Sequence, residues 1–206
     1  DQAYFLSALS QEQLSRTLFP LGTMTKPEVR EIAESLGLVT ARKKDSQDIC
    51  FVPDGDYAAF IQSCTGKEYP PGDFIDADGH VLGEHRGIIH YTVGQRKGLG
   101  IALGAPAYVQ ALDAERNRVI LGSNETLFTR KLVVTNFNWV SIANPGKDFQ
   151  ASARIRYRHQ EAPARIIPLA EDTVRVIFDE PQRAVTSGQT AVVYDGDYVL
   201  GGGTIL

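Results

Sequence analysis

Cysteine is scarce in this 206-residue chain: Cys50 and Cys64 are the only two. Their spacing matches neither a zinc ligand set nor a disulfide framework, so a metal-stapled or secreted scaffold is excluded. Long apolar runs are missing as well. Stretches such as Ala191–Tyr194 are only a few residues long, far short of the roughly 20 that span a bilayer. The opening Asp1-Gln2-Ala3-Tyr4-Phe5-Leu6 has no basic region, apolar stretch and cleavage site in series, so it does not read as a signal peptide. No internal repeat, low-complexity segment or membrane partner is expected, and a reducing, cytoplasmic setting is the default reading. The four histidines, His80, His85, His90 and His159, have no acid and nucleophile at hydrolase-triad spacing. Steps of five would put His80, His85 and His90 on alternating faces of a strand, so no metal site is expected.

What is present is an ordinary globular composition, with 43% hydrophobic residues and 21 Lys plus Arg against 25 Asp plus Glu. The distribution of charge is more telling than its total. From Glu171 to Leu206 six acids stand against two arginines, which leaves the rest of the chain neutral. Within that remainder Arg154, Arg156, Arg158 and Arg165 alternate with Tyr157 and His159 and are opposed locally only by Glu161. Such a cluster is either a phosphate-contacting surface or a solvated strand face whose arginines pair with acids elsewhere.

The first sixty residues carry helical signals. Ser10 with Gln13 opens a short helix to about Thr17, and Thr25 with Glu28 forms a capping box with Pro27 in the first turn. Val29, Ile32, Ala33 and Leu36 then follow helical spacing, and Gly37 supplies the stop. A third helix is expected from about Asp56 to Cys64, with Tyr57, Phe60, Ile61 and Cys64 on one stripe. From Gly72 onward the period changes to two. Strands are expected over 73–76, 80–83, 87–93, 107–112, 118–121, 132–140, 150–158, 164–169, 173–178, 190–194 and 198–206, a series that predicts a barrel or sandwich. Gly201-Gly202-Gly203 in the last of these marks a bulge or a close backbone crossing.

The two thiols differ in setting. Cys64 lies at the i+7 position of an apolar stripe and reads as a small core hydrophobe. Cys50 follows the polar run Lys43-Lys44-Asp45-Ser46-Gln47-Asp48-Ile49. The lysines favour a thiolate and the aspartates oppose it, so both a reactive and an inert Cys50 stay open on spacing alone. Thr92-Val93-Gly94-Gln95-Arg96-Lys97-Gly98-Leu99-Gly100 sets three glycines around two cations. It lacks the Lys-Ser/Thr and following helix of a Walker loop, and reads either as a contact for nucleotide or nucleic acid or as a tight basic hairpin.

Taken together, five segments resemble the tRNA-specific 2-thiouridylases in order along the whole chain: 1–6, Ala41 through Val52, Tyr91 through Gly100, Ala153 through Arg158, and Gly188-Gln189 with Tyr194-Asp195-Gly196 and Gly201-Gly202-Gly203. Ala3 stands where a serine is commoner in the family motif. The family's phosphate loop and first catalytic cysteine have no counterpart here, so the resemblance implies the carboxy-terminal part of a longer enzyme, consistent with the absence of an initiator Met. The implied fold is α+β and mainly β. It comprises the end of an α/β nucleotide-binding domain over 1–56, a small β-rich central domain over 57–112, and a carboxy-terminal β-barrel over 113–206. The helix at 26–36 is assignable to either of the first two.

The function this resemblance implies is 2-thiolation of the wobble uridine of tRNA, through ATP-dependent adenylation and a persulfide. Cys50, in Asp45-Ser46-Gln47-Asp48-Ile49-Cys50-Phe51, takes the persulfide role, and a second thiol outside this sequence would close a disulfide. Asp1, Gln2, Arg156, Tyr157 and Gln189 become tRNA contacts. ATP, with Mg2+ as its companion, would be held mainly by the absent domain, and a sulfur-carrier protein or cysteine desulfurase would be the sulfur source. The alternative is a non-catalytic RNA-binding barrel in which Cys50 is structural. A third reading, an independent thiol enzyme, lacks a base for Cys50.

Overall fold

The computed structural model describes residues 3–43, 52 and 55–206. Four helices precede the first strand: α1 (Ala3–Leu6), α2 (Gln11–Ser15), α3 (Lys26–Ser35) and α4 (Tyr57–Thr65). Ten strands follow: β1 (Gly72–Ile75), β2 (Val81–His85), β3 (Tyr108–Asp113), β4 (Arg118–Gly122), β5 (Phe128–Trp139), β6 (Phe149–Arg154), β7 (Ala162–Pro168), β8 (Val174–Arg183), β9 (Thr190–Asp195) and β10 (Tyr198–Ile205). The chain divides into two compact units, Glu12–Lys67 and a larger one of Asp1–Gln11 with Glu68–Leu206.

In the smaller unit the caps form as the local sequence dictates. The Glu28 carboxylate accepts from the Thr25 N–H at 2.6 Å and from its hydroxyl at 2.7 Å, which fixes the start of α3. Asp56 Oδ1 accepts from the Ala59 N–H at 3.0 Å at the start of α4, and Gly66 ends it at φ +63°. Burial departs from expectation. No residue of α3 is buried, and Ala58 is the one buried residue of α4. Cys64, expected in the core, is exposed. It lies on the last turn of a nine-residue helix whose one buried residue, Ala58, is on the first turn.

In the larger unit β1 to β4 make a four-stranded sheet in the order β2-β1-β4-β3, with β1 and β4 parallel and the other pairs antiparallel. Phe74, Tyr91, Leu99, Val109, Val119 and Leu121 form its core. Buried His85 accepts from the Gly87 N–H at Nδ1, 3.1 Å, so its Nε2 carries the proton and donates to Asn117 O, 3.1 Å. The strand expected at 87–93 is instead a 3-10 turn, Ile88–His90. Gly87 at φ +112° and its N–H bond to His85 turn the backbone out of the extended path.

The remaining six strands close a barrel in the order β10-β5-β8-β7-β6-β9, which leaves no edge open to pair with another chain. Alternate residues such as Leu132 and Val134, Ala164 and Ile166, and Val174, Val176 and Phe178 point inward and fill it. Strand β9 departs from alternation: Ala191, Val192, Val193 and Tyr194 are all buried. Ala191 and Val193 face the barrel interior, while Val192 and Tyr194 on the outer wall are covered by Tyr4 of α1. An uninterrupted apolar run results because both faces of the strand are covered.

The glycine triplet serves these close approaches. A Cβ on Gly202 would lie 2.7 Å from Ser7 Oγ beneath α1, and one on Gly203 would lie 2.6 Å from the Thr135 carbonyl oxygen of β5. Neighbouring registers are shifted between Val199 and Gly201 and between Gly202 and Thr204, which marks the bulged crossing expected from the sequence. Gly203→Ala is expected to cost about 1–3 kcal/mol through overpacking against backbone that cannot move aside. The measurement is a urea unfolding midpoint, which should fall with little change of slope.

Candidate RNA-binding face

Strand β6 pairs with β9 as far as Arg154 opposite Val192 and then stops. The strand expected to continue to Arg158 is therefore shorter, and 155–159 form a turn closed by the His159 N–H to Arg156 O bond at 3.0 Å. Ile155, 2% exposed, anchors that turn in the core, while Tyr157 and Arg158 are turned toward solvent. Tyr157 is 40% exposed and lies against Phe5, itself 57% exposed, with ring centroids 4.8 Å apart at an interplanar angle of 32°. Tyr4 meets both rings edge-on, at 5.4 Å from Phe5 and 5.9 Å from Tyr157.

The same Tyr4 links this turn to the start of β9. Its hydroxyl donates to Thr190 O at 2.6 Å, next to Gln189, whose side chain is exposed and whose carbonyl accepts from the Ile205 N–H at 2.8 Å. Tyr157 and the backbone beside Gln189, far apart in the chain, thus both meet one buried tyrosine. Asn138 Nδ2 fastens the helix further by donating to Ser7 O and Leu9 O, both at 2.9 Å, and Gln11 Nε2 donates to Val140 O. Asp1, Gln2 and Cys50 lie outside the described residues.

The basic cluster does not act as one surface. Arg165 pairs with Asp148 on the neighbouring loop, and Arg154 lies over the Tyr194 ring, 5.3 Å from its centroid. Arg156 and Arg158 have no carboxylate partner among the described residues. Two cations beside two exposed aromatic rings can take phosphate by bidentate hydrogen bonds and a base by stacking. Phe5 was not among the residues picked out by sequence. Its exposure is the signal, and exposure is visible only once Tyr4 is seen to take the buried side of α1.

Beneath the turn, Arg154 Nε, His159 Nδ1 and Tyr194 Oη are buried without a hydrogen-bond partner among the described residues. Burial raises the Tyr194 hydroxyl pKa. Burial, with the positive charges of Arg156 and Arg154 beside it, lowers that of His159. Elsewhere Asp76, Asp78 and His80 bring ligand-type atoms within 4.8 Å of one another. Hairpin geometry accounts for them: Asp76 Oδ1 accepts from the N–H groups of Asp78 and His80, and its Oδ2 meets His80 Nδ1 at 3.0 Å. Among the described residues no helix is long and apolar enough to cross a membrane.

Three family descriptions match the chain in succession: a tRNA methyl transferase HUP domain over residues 1–54, a tRNA methyl transferase PRC-barrel domain over 58–123, and an aminomethyltransferase β-barrel domain over 129–205. The class is therefore that of modular chains in which a HUP domain, a PRC-barrel domain and a β-barrel domain follow one another. The tRNA-specific 2-thiouridylase MnmA of Acetivibrio thermocellus is 54% identical over 205 residues, covering all of this chain and 57% of that protein. Those of Lachnoclostridium phytofermentans and Moorella thermoacetica are 50% and 54% identical over 206 residues, covering all of this chain and 58% and 57% of theirs. The chain belongs to the tRNA-specific 2-thiouridylase family, and it spans somewhat over half the length of these relatives.

The His159 environment gives a pH dependence with a definite sign. A folded-state pKa below the ordinary 6.5 means that the unfolded chain binds the proton more tightly. This contribution to stability is fully present above pH 6.5 and is lost as the pH falls through the depressed folded value. His159→Gln is expected to flatten the fall in melting temperature between pH 7 and 5, read by thermal denaturation across that range.

Proposed function

We propose that this chain is the tRNA-gripping and sulfur-carrying part of a tRNA-uridine 2-sulfurtransferase that thiolates the wobble uridine. The observation that carries the RNA half of this reading is the turn at 155–159, where Arg156 and Arg158 stand unneutralised beside the exposed Tyr157–Phe5 pair. RNA recognition favours this chemistry: cations for the backbone, π faces for unstacked bases. Asp1 and Gln2, directly before α1, and Gln189, beside Thr190, extend the same contact. An extruded wobble base needs such positioning groups to leave its stack.

The sulfur half rests on the Asp45–Phe51 motif and on relatives that carry the thiouridylase name across the whole chain. The family descriptions carry a methyltransferase label; a cysteine in a polar segment that opens with Lys43-Lys44 is compatible with sulfur transfer. In the assigned step the Cys50 thiolate attacks the outer sulfur of a donor persulfide. A new S–S bond forms at Cys50 as the donor's S–S bond breaks, and the donor leaves as its thiolate. The outer sulfur then bonds to C2 of the uridine as the activated 2-oxygen leaves, and a second thiol outside this sequence attacks the Cys50 sulfur, forming a disulfide with Cys50 as the S–S bond to the transferred sulfur breaks. A persulfide-bearing carrier protein or cysteine desulfurase supplies the sulfur, in the cytoplasm.

ATP, with Mg2+, belongs to the complete reaction as the reagent that turns the uridine oxygen into a leaving group. The described residues do not form a site for its phosphates. Gly94, Gly98 and Gly100 follow a 3-10 turn and lead into β3, with no helix whose amino terminus could receive a triphosphate. No step in this chain is assigned to ATP. The proposed organisation keeps the catalytic remnant, central domain and barrel in that order with a division at about residue 56; the division expected at about 112 would split the β3–β4 pair of one sheet, so the proposed boundary before the barrel moves to between β4 and β5.

Two measurements test the halves separately. Incubation with a persulfide donor is expected to add one sulfur atom to Cys50 by intact-mass and peptide analysis, with the label lost in Cys50→Ser and kept in Cys64→Ser. Labelling that persists in Cys50→Ser sinks the sulfur assignment, and tRNA binding without any Cys50 label leaves a non-catalytic RNA-binding module. For the RNA half, Arg156→Ala should weaken tRNA binding and lower the steepness of log K against log salt by about one.

A further inference from the structure

The glycine-rich loop has no part in the function described so far, yet its cation converges with two others. Arg96 Cζ lies 6.0 Å from the centroid of the Tyr108 ring, and Arg183 Cζ, from the end of β8, lies 5.4 Å from the same centroid. Arg183 also donates from Nε to Asn124 Oδ1 at 3.1 Å, and its carbonyl accepts from Arg156 Nη2 at 3.4 Å. We infer that Arg96 and Arg183, braced on Tyr108 and continuous with Arg156, form a second seat for RNA backbone phosphates at the seam between the small sheet and the barrel. This rests on the RNA-binding reading above and adds a contact to it.

Local geometry holds the seam closed. Ala184 adopts φ +54°, a left-handed conformation rare for a residue with a side chain, and its N–H donates to Leu127 O at 2.9 Å. A Cβ on Gly94 would lie 2.9 Å from Ala184 Cβ, so glycine lets the loop press against the end of β8. The Gly94 N–H donates to Val109 O at 2.8 Å, and Gln95 O accepts from the Val109 N–H at 2.9 Å. Arg96 therefore projects from an anchored backbone. Beside it a cleft of about 450 Å3 opens, lined by Arg96, Gly98, Gly100, Ile101 and Pro106 among others.

Charge decides the occupant. Elsewhere in this unit Arg116, Arg130 and Arg165 each meet a carboxylate, whereas Arg96, Arg156 and Arg183 meet none among the described residues. Their partners are an aromatic ring, an amide oxygen and a backbone carbonyl. Neutral partners orient a guanidinium without cancelling its charge. Three convergent, uncancelled cations repel one another until a polyanion arrives, and a phosphodiester chain supplies successive charges at spacings that a single small anion does not. Continuity with Arg156 favours RNA over an acidic protein segment.

The test uses the complete polypeptide and unmodified substrate tRNA, with affinity measured across a salt series. Arg96 is exposed and makes no hydrogen bond that the fold needs, so Arg96→Ala is the primary variant. It should lower the salt slope by about one, alike for tRNAs of different anticodon, and Arg96→Lys should restore it. Arg183→Gln should act in the same direction, with a thermal melt to confirm folding; if it unfolds, Arg96 alone decides. If Arg156→Ala lowers the slope and Arg96→Ala does not, the seam site is overturned while the RNA reading stands. If neither lowers it, the RNA reading falls with it. Loss of sulfur-donor binding in Arg96→Ala, with an unchanged tRNA slope, would assign the seam to an acidic protein and also overturn the inference.

Discussion

Tyr4 packed against the outer wall of β9 is the contact on which the arrangement of this molecule depends. The ring covers Val192 and Tyr194, and its hydroxyl reaches Thr190 O. Without that cover two large side chains on a barrel strand would face water, at about 25 cal/mol per Å2 of apolar surface. With it, a four-residue helix from the beginning of the chain is fixed to strands near its end. The glycines of β10 make room for the helix, and Asn138 fastens its carbonyl end. Phe5 is then turned outward beside Tyr157.

A second constraint sorts the arginines. The barrel and sheet present many cations, and those that find a carboxylate, such as Arg165 on Asp148 and Arg116 on Asp113, are spent on the surface. Exposed pairs of this kind contribute little stability; their consequence here is to remove those charges from the field. Arg154 lies over the Tyr194 ring with its Nε buried, so part of its guanidinium is out of reach of a ligand. Arg86, Arg96, Arg118, Arg156, Arg158, Arg175 and Arg183 are left without a carboxylate partner among the described residues, and of these Arg96, Arg156 and Arg183 converge where sheet and barrel join. A chain with net charge −4 therefore presents a local basic surface, because fields in a concave seam follow the nearest charges and not the total.

Helix caps, turns and strand series were legible because their causes are local. Thr25 and Glu28, Gly37 and Asp56 act within four residues, and two-residue alternation marks the barrel strands whatever they pair with. The failures share a cause as well. Val29, Ile32 and Leu36 fixed the helical period of α3 but not a burial partner, and the stripe ending at exposed Cys64 likewise set a period without burial, Ala58 being the one buried residue of α4. The strands expected at 87–93 and through 158 ended where a Gly87 turn and the last β6–β9 pair stopped them.

For the candidate site the division is sharper. The sequence alone determined which residue types could contact RNA or carry sulfur, and the order of the segments that resemble a known family, because residue chemistry and motif spacing are properties of the chain. Tertiary structure alone decided which arginines remain uncancelled, that Tyr157 lies on Phe5, and that Arg96 and Arg183 share Tyr108. Charge pairing and barrel closure join residues tens of positions apart, the stacking of Tyr157 on Phe5 joins residues more than a hundred apart, and only the closed fold brings such atoms within reach of one another.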